Sequence, residues 1–332
     1  MVFLMMAITT SLPSCSQSEK GDGSGGVDER NDVTGVDEVD YRLVGDFKPE
    51  SGAAPSPTKD PMAEGPWNGR FMTAVSSDGL DFAKTGTIIG DQLNVPDLVY
   101  DADGYLFLYF SGYTLGDRVN ATAVAISPDD GVTWAFKYIN FIGFGTRDPV
   151  DPSVVYLEDD GVFRMYATFN EPSEELSTYY AESSDGVNFV NMGKVFSAPE
   201  GPAMVPSVLR IGDTWHLFNN TLEVETIHHA TSADGRTFDY AGTVDLTIGA
   251  RRYFVSNGIA VPGGYRLFIY SRADRNIGSM FSTDGTTWES EGLRLELDTS
   301  SELEADFVKD PGIVRLPDGT YLMVYATNVP AE

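Results

Sequence analysis

Residues 151–168, DPSVVYLEDDGVFRMYAT, read as an acid and a proline, a short apolar strand, an Asp-Gly turn and an alternating strand rich in aromatics. The phrase recurs as VPDLVYDADGYLFLYFSG (95–112), VPSVLRIGDTWHLFNN (205–220), SNGIAVPGGYRLFIYS (256–271) and DPGIVRLPDGTYLMVYA (310–326). The second residues fall at 96, 152, 206, 257 and 311, a repeat of 51 to 56 residues, which is the spacing of an array of small β-sheets. Each copy turns on Gly or Asp, residues that accept positive φ, so each predicts a tight hairpin.

A second phrase interleaves with the first: SSDGLDF (76–82), SPDDGVTW (127–134), SSDGVNF (183–189), SADGRTF (232–238) and STDGTTW (282–288). Each is a strand end, an Asp-Gly turn and an aromatic that opens the next strand, so one repeat holds two hairpins, the four antiparallel strands of a propeller blade. The chain enters this pattern on an outer hairpin (70–90) and leaves it on an inner one (310–326). The two halves make one blade, which predicts an all-β, five-bladed β-propeller closed by N-terminal strands completing the C-terminal blade. A sandwich of irregular hairpins would give no reason for that permutation.

Because strand direction alternates, the Asp-Gly turns belong to one face and the mouth to the other. The mouth is then built from residues just before each inner strand and from loops joining second to third strands. That places Trp67, Asn94, Arg147, Asp148, Arg251, Arg252, Asn257 and Asp310 there as candidate substrate-binding residues. Arg251 and Arg252 stand out in an acidic chain and suit either an anionic group such as a uronate or the offsetting of neighbouring acids. Trp67 suits sugar stacking, whereas Trp134 and Trp288 follow Asp-Gly turns and read as packing. His228 and His229, with Glu223 and Glu225, are loose metal-ligand spacing, but strand alternation sends the two histidines to opposite faces.

Over about 70–330 the sequence resembles the five-bladed propeller clan of glycoside hydrolase families 43 and 32, most specifically in DPSVVYLEDDGVFRMY. The resemblance implies that Asp151 orients and tunes a catalytic acid. Glycoside hydrolysis needs two carboxylates, one protonated and one ionised, on either side of the scissile bond. The resemblance would put the base before Pro96 and the acid two residues before Pro206, where this chain has Val95 and Met204. Asp97 is the substitute candidate base, and Glu200 or Glu171 the substitute proton donor. Two readings stay open: a glycoside hydrolase-like enzyme acting on poly- or oligosaccharide, and a non-catalytic propeller binding carbohydrate or a protein.

The chain has 332 residues with 50 Asp plus Glu against 22 Lys plus Arg, a net charge of −28. That charge repels nucleic acid and anionic lipid surfaces. No Gly-rich phosphate cradle, Ser-His-Asp elbow or Cys/His zinc spacing is found, and we expect no cofactor, no metal and a monomer. The start, MVFLMMAITTSLPSCS, resembles the lipobox leader of bacterial lipoproteins, with Cys15 as lipidation site. Residues 16–66, rich in Gly, Ser, Pro and acid, read as a flexible acidic linker, with part of 33–50 packing as an extra strand. Residues 67–332 form the propeller. The expected location is the cell envelope or outside a bacterial cell.

Overall fold

The computed structural model describes residues 40–57, 65–221 and 226–331. They form five four-stranded antiparallel sheets around one axis. Blade 1 comprises Leu93–Tyr100, Leu106–Leu115, Arg118–Ser127 and Ala135–Tyr138. Blade 2 comprises Val150–Leu157, Val162–Phe169, Ser177–Ser183 and Asn188–Phe196, with Asn140–Ile142 added in parallel outside. Blade 3 is Met204–Ile211, Thr214–Thr221, Thr226–Ser232 and Asp239–Val244. Blade 4 is Phe254–Val261, Gly264–Ser271, Asn276–Ser282 and Glu289–Glu296. In blade 5 the C-terminal strands Ala305–Arg315 and Tyr321–Asn328 pair with the N-terminal Gly69–Ser76 and Ala83–Asp91, Phe71 standing opposite Ala326. The expected closure is therefore present.

Middle strands read as continuous apolar runs because both of their faces are covered by neighbouring blades. Five buried clusters result, one at each blade junction. Phe107, Tyr109, Phe163 and Met165 join blades 1 and 2, and Tyr166, Tyr180, Trp215 and Leu217 join 2 and 3. Phe218, Ile227, Leu267 and Ile269 join 3 and 4, and Met72, Phe268, Tyr270 and Tyr325 join 4 and 5. Phe71, Leu93, Phe110 and Val324 fill the junction between blades 5 and 1, so the closing blade is packed like the others. Trp134 and Trp288 lie against these cores at blade edges.

The five Asp-Gly turns are built alike. In the blade 2 copy the Ser183 hydroxyl accepts from the Gly186 N–H at 2.9 Å, and Asp185 accepts from the N–H groups of Val187 and Asn188. The preceding blade then caps the turn: Tyr109 donates to the Gly186 carbonyl at 2.9 Å and Tyr166 to the Gly235 carbonyl at 2.7 Å. The acidic lettering of this phrase is interblade scaffolding.

Four of the five inner strands carry proline, Pro96, Pro152, Pro206 and Pro311, because a missing N–H on their axial edge breaks no ladder hydrogen bond. The residue after that position is Asp97, Ser153, Ser207, Gly258 or Gly312, short because the strands converge. A Cβ on Gly312 would stand 2.6 Å from the Pro96 carbonyl oxygen and 3.3 Å from the Asp97 Cα, both backbone atoms. Gly312→Ala is expected to cost about 1–3 kcal/mol in urea denaturation. Gly258→Ala, whose Cβ would first meet the Leu267 and Leu209 side chains, should cost less.

Residues 40–57, within the stretch read as linker, lie against the propeller. The Asp46 N–H donates to the Phe136 carbonyl at 2.7 Å, Phe47 stacks on Tyr138 with centroids 4.8 Å apart, and the Gly52 N–H donates to Asp91 at 2.6 Å. Two isolated bridges, Phe47 with Phe136 and Glu50 with Asp91, stand where an extra strand was expected. The leader with Cys15, and residues 16–39 and 58–64, lie outside the described residues.

Candidate functional site

At the mouth end of four inner strands the backbone bulges into the left-handed region. Val95, Asp151, Val205 and Asp310 have φ of 53°, 56°, 47° and 46°, each just before the proline. Pairing with the second strand slips at these points. A non-glycine residue in this region costs about 1–2 kcal/mol. Neighbouring blades hold two of the bulges: the Asp151 N–H donates to the Ser111 hydroxyl at 3.1 Å and the Val205 N–H to the Thr168 hydroxyl at 2.9 Å. Blade 4 has Ser256-Asn257 instead, with the Val255 N–H donating to Asn220 at 3.1 Å.

The bulges bring Asp151 and Asp310 within electrostatic reach of each other. Asp310 and Lys309 are both buried, with Asp310 Oδ2 2.8 Å from Lys309 Nζ. Among the axial carboxylates Asp97, Asp151 and Asp310, Asp97 and Asp310 are buried and Asp151 is half-buried. Burial pushes its carboxyl up to about 6, and Asp310 adds to this. The Thr168 hydroxyl, Lys309 and Arg272 pull the other way. Asp151 therefore changes charge just below neutral pH.

Asp97 lies deeper, only 5% exposed. One oxygen accepts from the Val154 N–H at 2.5 Å and the other from the Asn257 amide at 2.7 Å. It thus clamps blade 1 to blades 2 and 4, and burial pushes its carboxyl up to about 7. Each oxygen is thus already engaged by a structural donor. Glu200 and Glu171 are exposed on loops: the backbone of Glu200 meets His228, and the Glu171 carbonyl closes a turn with the Glu174 N–H. No described contact joins either to Asp151.

The other expected mouth residues divide into two groups. Arg147 donates to Asn170 at 2.9 Å and Arg118 to Asp148 at 2.5 Å, lining a cleft of about 590 Å³ that reaches Thr168 between blades 1 and 2. Arg251 pairs with Asp274 at 3.3 Å and Arg252 with Asp245 at 3.2 Å, beside a second pocket on blade 4. Trp67 is half-buried, edge-on to Tyr113 at 5.9 Å, and Asn94 Oδ1 is buried with no hydrogen-bond partner. His228 faces Tyr240 while His229 faces His216 and Phe218, on opposite sides of the strand. Glu223 and Glu225 lie outside the described residues. Among the described residues no three His, Cys, Asp or Glu side chains converge as metal ligands.

Sequence reasoning missed Lys309, Arg272, Thr168 and Ser111. Lys309 had a signal, standing next to Asp310 in the motif, and Arg272 opens a loop already placed at the mouth. Thr168 and Ser111 carry none, since only the ring of blades aims their hydroxyls across a junction. Val95 gains nothing evident from its φ, and Asn tolerates that conformation better than a β-branched residue. Val95→Asn is expected to raise stability by about 1 kcal/mol in urea denaturation.

No protein-family model matches the chain, and no curated protein matches it. Solved structures match in fold. An N-acetylgalactosamine deacetylase from F. plautii, in complex with blood group B trisaccharide, superposes with a TM-score of 0.55 at 15% identity, over 75% of this chain and 82% of that one. A β-xylosidase gives 0.54 at 13% identity, covering 72% and 92%. A thermostable family-43 glycoside hydrolase gives 0.51 at 14%, covering 71% and 88%. The chain is thus built on the five-bladed β-propeller shared by the family 43 and family 32 glycoside hydrolases.

Proposed function

We propose that this propeller binds carbohydrate in its mouth without hydrolysing it by the two-carboxylate route. One observation carries the reading: Val95 and Met204 stand at the positions of the second and third acids, and among the described axial carboxylates Asp97 and Asp310 are buried, leaving Asp151 the least enclosed. Hydrolysis of a glycosidic bond needs an acid and a base or nucleophile acting together, and one carboxylate cannot be both. What remains suits recognition: a half-buried carboxylate, guanidinium groups at two clefts and an aromatic at Trp67. A deacetylase on the same fold was solved with a trisaccharide bound, which supports the choice of ligand class.

The test is a glycan array with the purified protein, run beside a panel of aryl glycosides. Binding without turnover is expected, with affinity falling about tenfold or more in Asp151→Ala as charge-assisted hydrogen bonds are lost. Turnover by the native chain that disappears in Asp151→Ala would overturn the reading. We extend the proposal to location: lipidated Cys15 would hold the mouth at the cell envelope, and incorporation of a labelled fatty acid that is lost in Cys15→Ala tests that anchor.

A further inference from the structure

Between the last strand of blade 3 and the first of blade 4 the chain inserts a small hairpin, Thr247–Ile248 paired with Arg251–Arg252. Gly249, at φ 62°, makes the turn. The hairpin borders a pocket of about 430 Å³, within the roughly 300–1,000 Å³ usual for small-ligand sites. Arg251, Arg252 and Arg272 line it with Phe254 and Ser271, and none of its lining residues is acidic. In a chain with 50 acidic residues against 22 Lys plus Arg, a pocket lined by three guanidinium groups is a marked departure, its nearest carboxylates being Asp274 and Asp245, 3.3 and 3.2 Å from Arg251 and Arg252. Charges beyond a Debye length of about 8 Å are screened at physiological salt, so the local balance is set by these three guanidinium groups and the two paired carboxylates rather than by the net charge of −28.

Resting on the carbohydrate-binding reading above, we infer that the blade 4 pocket takes a sugar bearing a carboxylate, a uronic acid residue held by Arg251, Arg252 and Arg272. A guanidinium presents two parallel N–H groups that match a carboxylate. The present partners of Arg251 and Arg252 are exchangeable. These arginine side chains are 65% and 52% exposed, and such surface pairs contribute little. Arg272 links the pocket to the floor, since its charge acts on Asp151 and on the buried Tyr270. Phe254 supplies apolar surface for a ring face.

The experiment measures Kd by calorimetry for galacturonate, glucuronate and mannuronate–guluronate oligosaccharides, each beside a neutral oligosaccharide of matched length. At least one uronate series is expected to bind about tenfold or more tighter than its neutral counterpart. The Arg251→Gln, Arg252→Gln double variant should lose about that factor for the uronate, so that its preference for the uronate over the neutral sugar disappears. Both side chains are exposed, so the melting temperature of the double variant should match the native chain and separate lost binding from lost folding. Equal affinity for charged and neutral sugars, or uronate affinity unmoved by the double variant, overturns this inference and leaves carbohydrate binding standing. Failure of every sugar to bind overturns both.

Discussion

Asp97→Asn is expected to make the protein more stable at pH 8, by as much as about 4 kcal/mol, although Asp97 is a buried acid on the axis. The native carboxyl is pushed up from 3.8 to about 7 by burial, against the donors Val154 N–H and Asn257. A raised carboxyl binds more protons folded than unfolded. Its contribution is therefore complete below the unfolded value near 3.8 and is lost as pH rises through 7, at roughly 1.4 kcal/mol per pH unit. Asparagine keeps the acceptor for the Val154 N–H. Its new amide faces Asn257, whose Oδ1 is buried without a partner, so a rotated Asn257 amide accepts it. Asp97→Ala instead strands two buried donors and should cost about 2–4 kcal/mol at pH 4, where the native carboxyl is uncharged. Urea midpoints at pH 4 and pH 8 separate the two variants. An Asn variant that loses stability at both would show Asp97 to be something other than a clamp.

The same residue shows where sequence reading stops. The fold was legible because it is written in local chemistry: hairpin turns, strand alternation and the complementary half-blades at 70–90 and 310–326. The bulge before each proline was legible as a position, and Val95 and Met204 as departures from the family's acids. What Asp97 does was not legible, because its partners lie 57 and 160 residues away and meet only when the ring closes. The acid next to a proline looks the same on paper whether its oxygens face solvent or a neighbouring strand. Lys309 illustrates the converse: adjacent to Asp310 in sequence, it is buried with it as an ion pair, an arrangement that composition would assign to the surface.

The second large effect runs in the opposite direction with pH. His216 and His229 stack in the junction of blades 3 and 4, His216 Nδ1 lying 3.0 Å from His229 Nε2 with the rings 14° from parallel. The Gly285 carbonyl accepts from His216, which leaves Nδ1 as the acceptor and His229 Nε2–H as the donor. Burial holds both below the usual histidine value, His229 at about 4. A depressed imidazole binds fewer protons folded than unfolded, so stability is intact above 6.5 and is lost as pH falls toward 4, by about 3 kcal/mol from His229. Between pH 4 and 6.5 this slope and that of Asp97 oppose each other in the native chain. Each variant should then unmask the other. Asp97→Asn is expected to lose stability as pH falls from 6.5 to 4, whereas His229→Gln, which retains an N–H for His216, should lose it as pH rises. Asp151, raised to about 6, steepens the second curve up to that pH. Parallel urea-midpoint curves for the native chain and both variants across pH 4 to 8 would show that neither buried group titrates between the folded and unfolded states as its surroundings require.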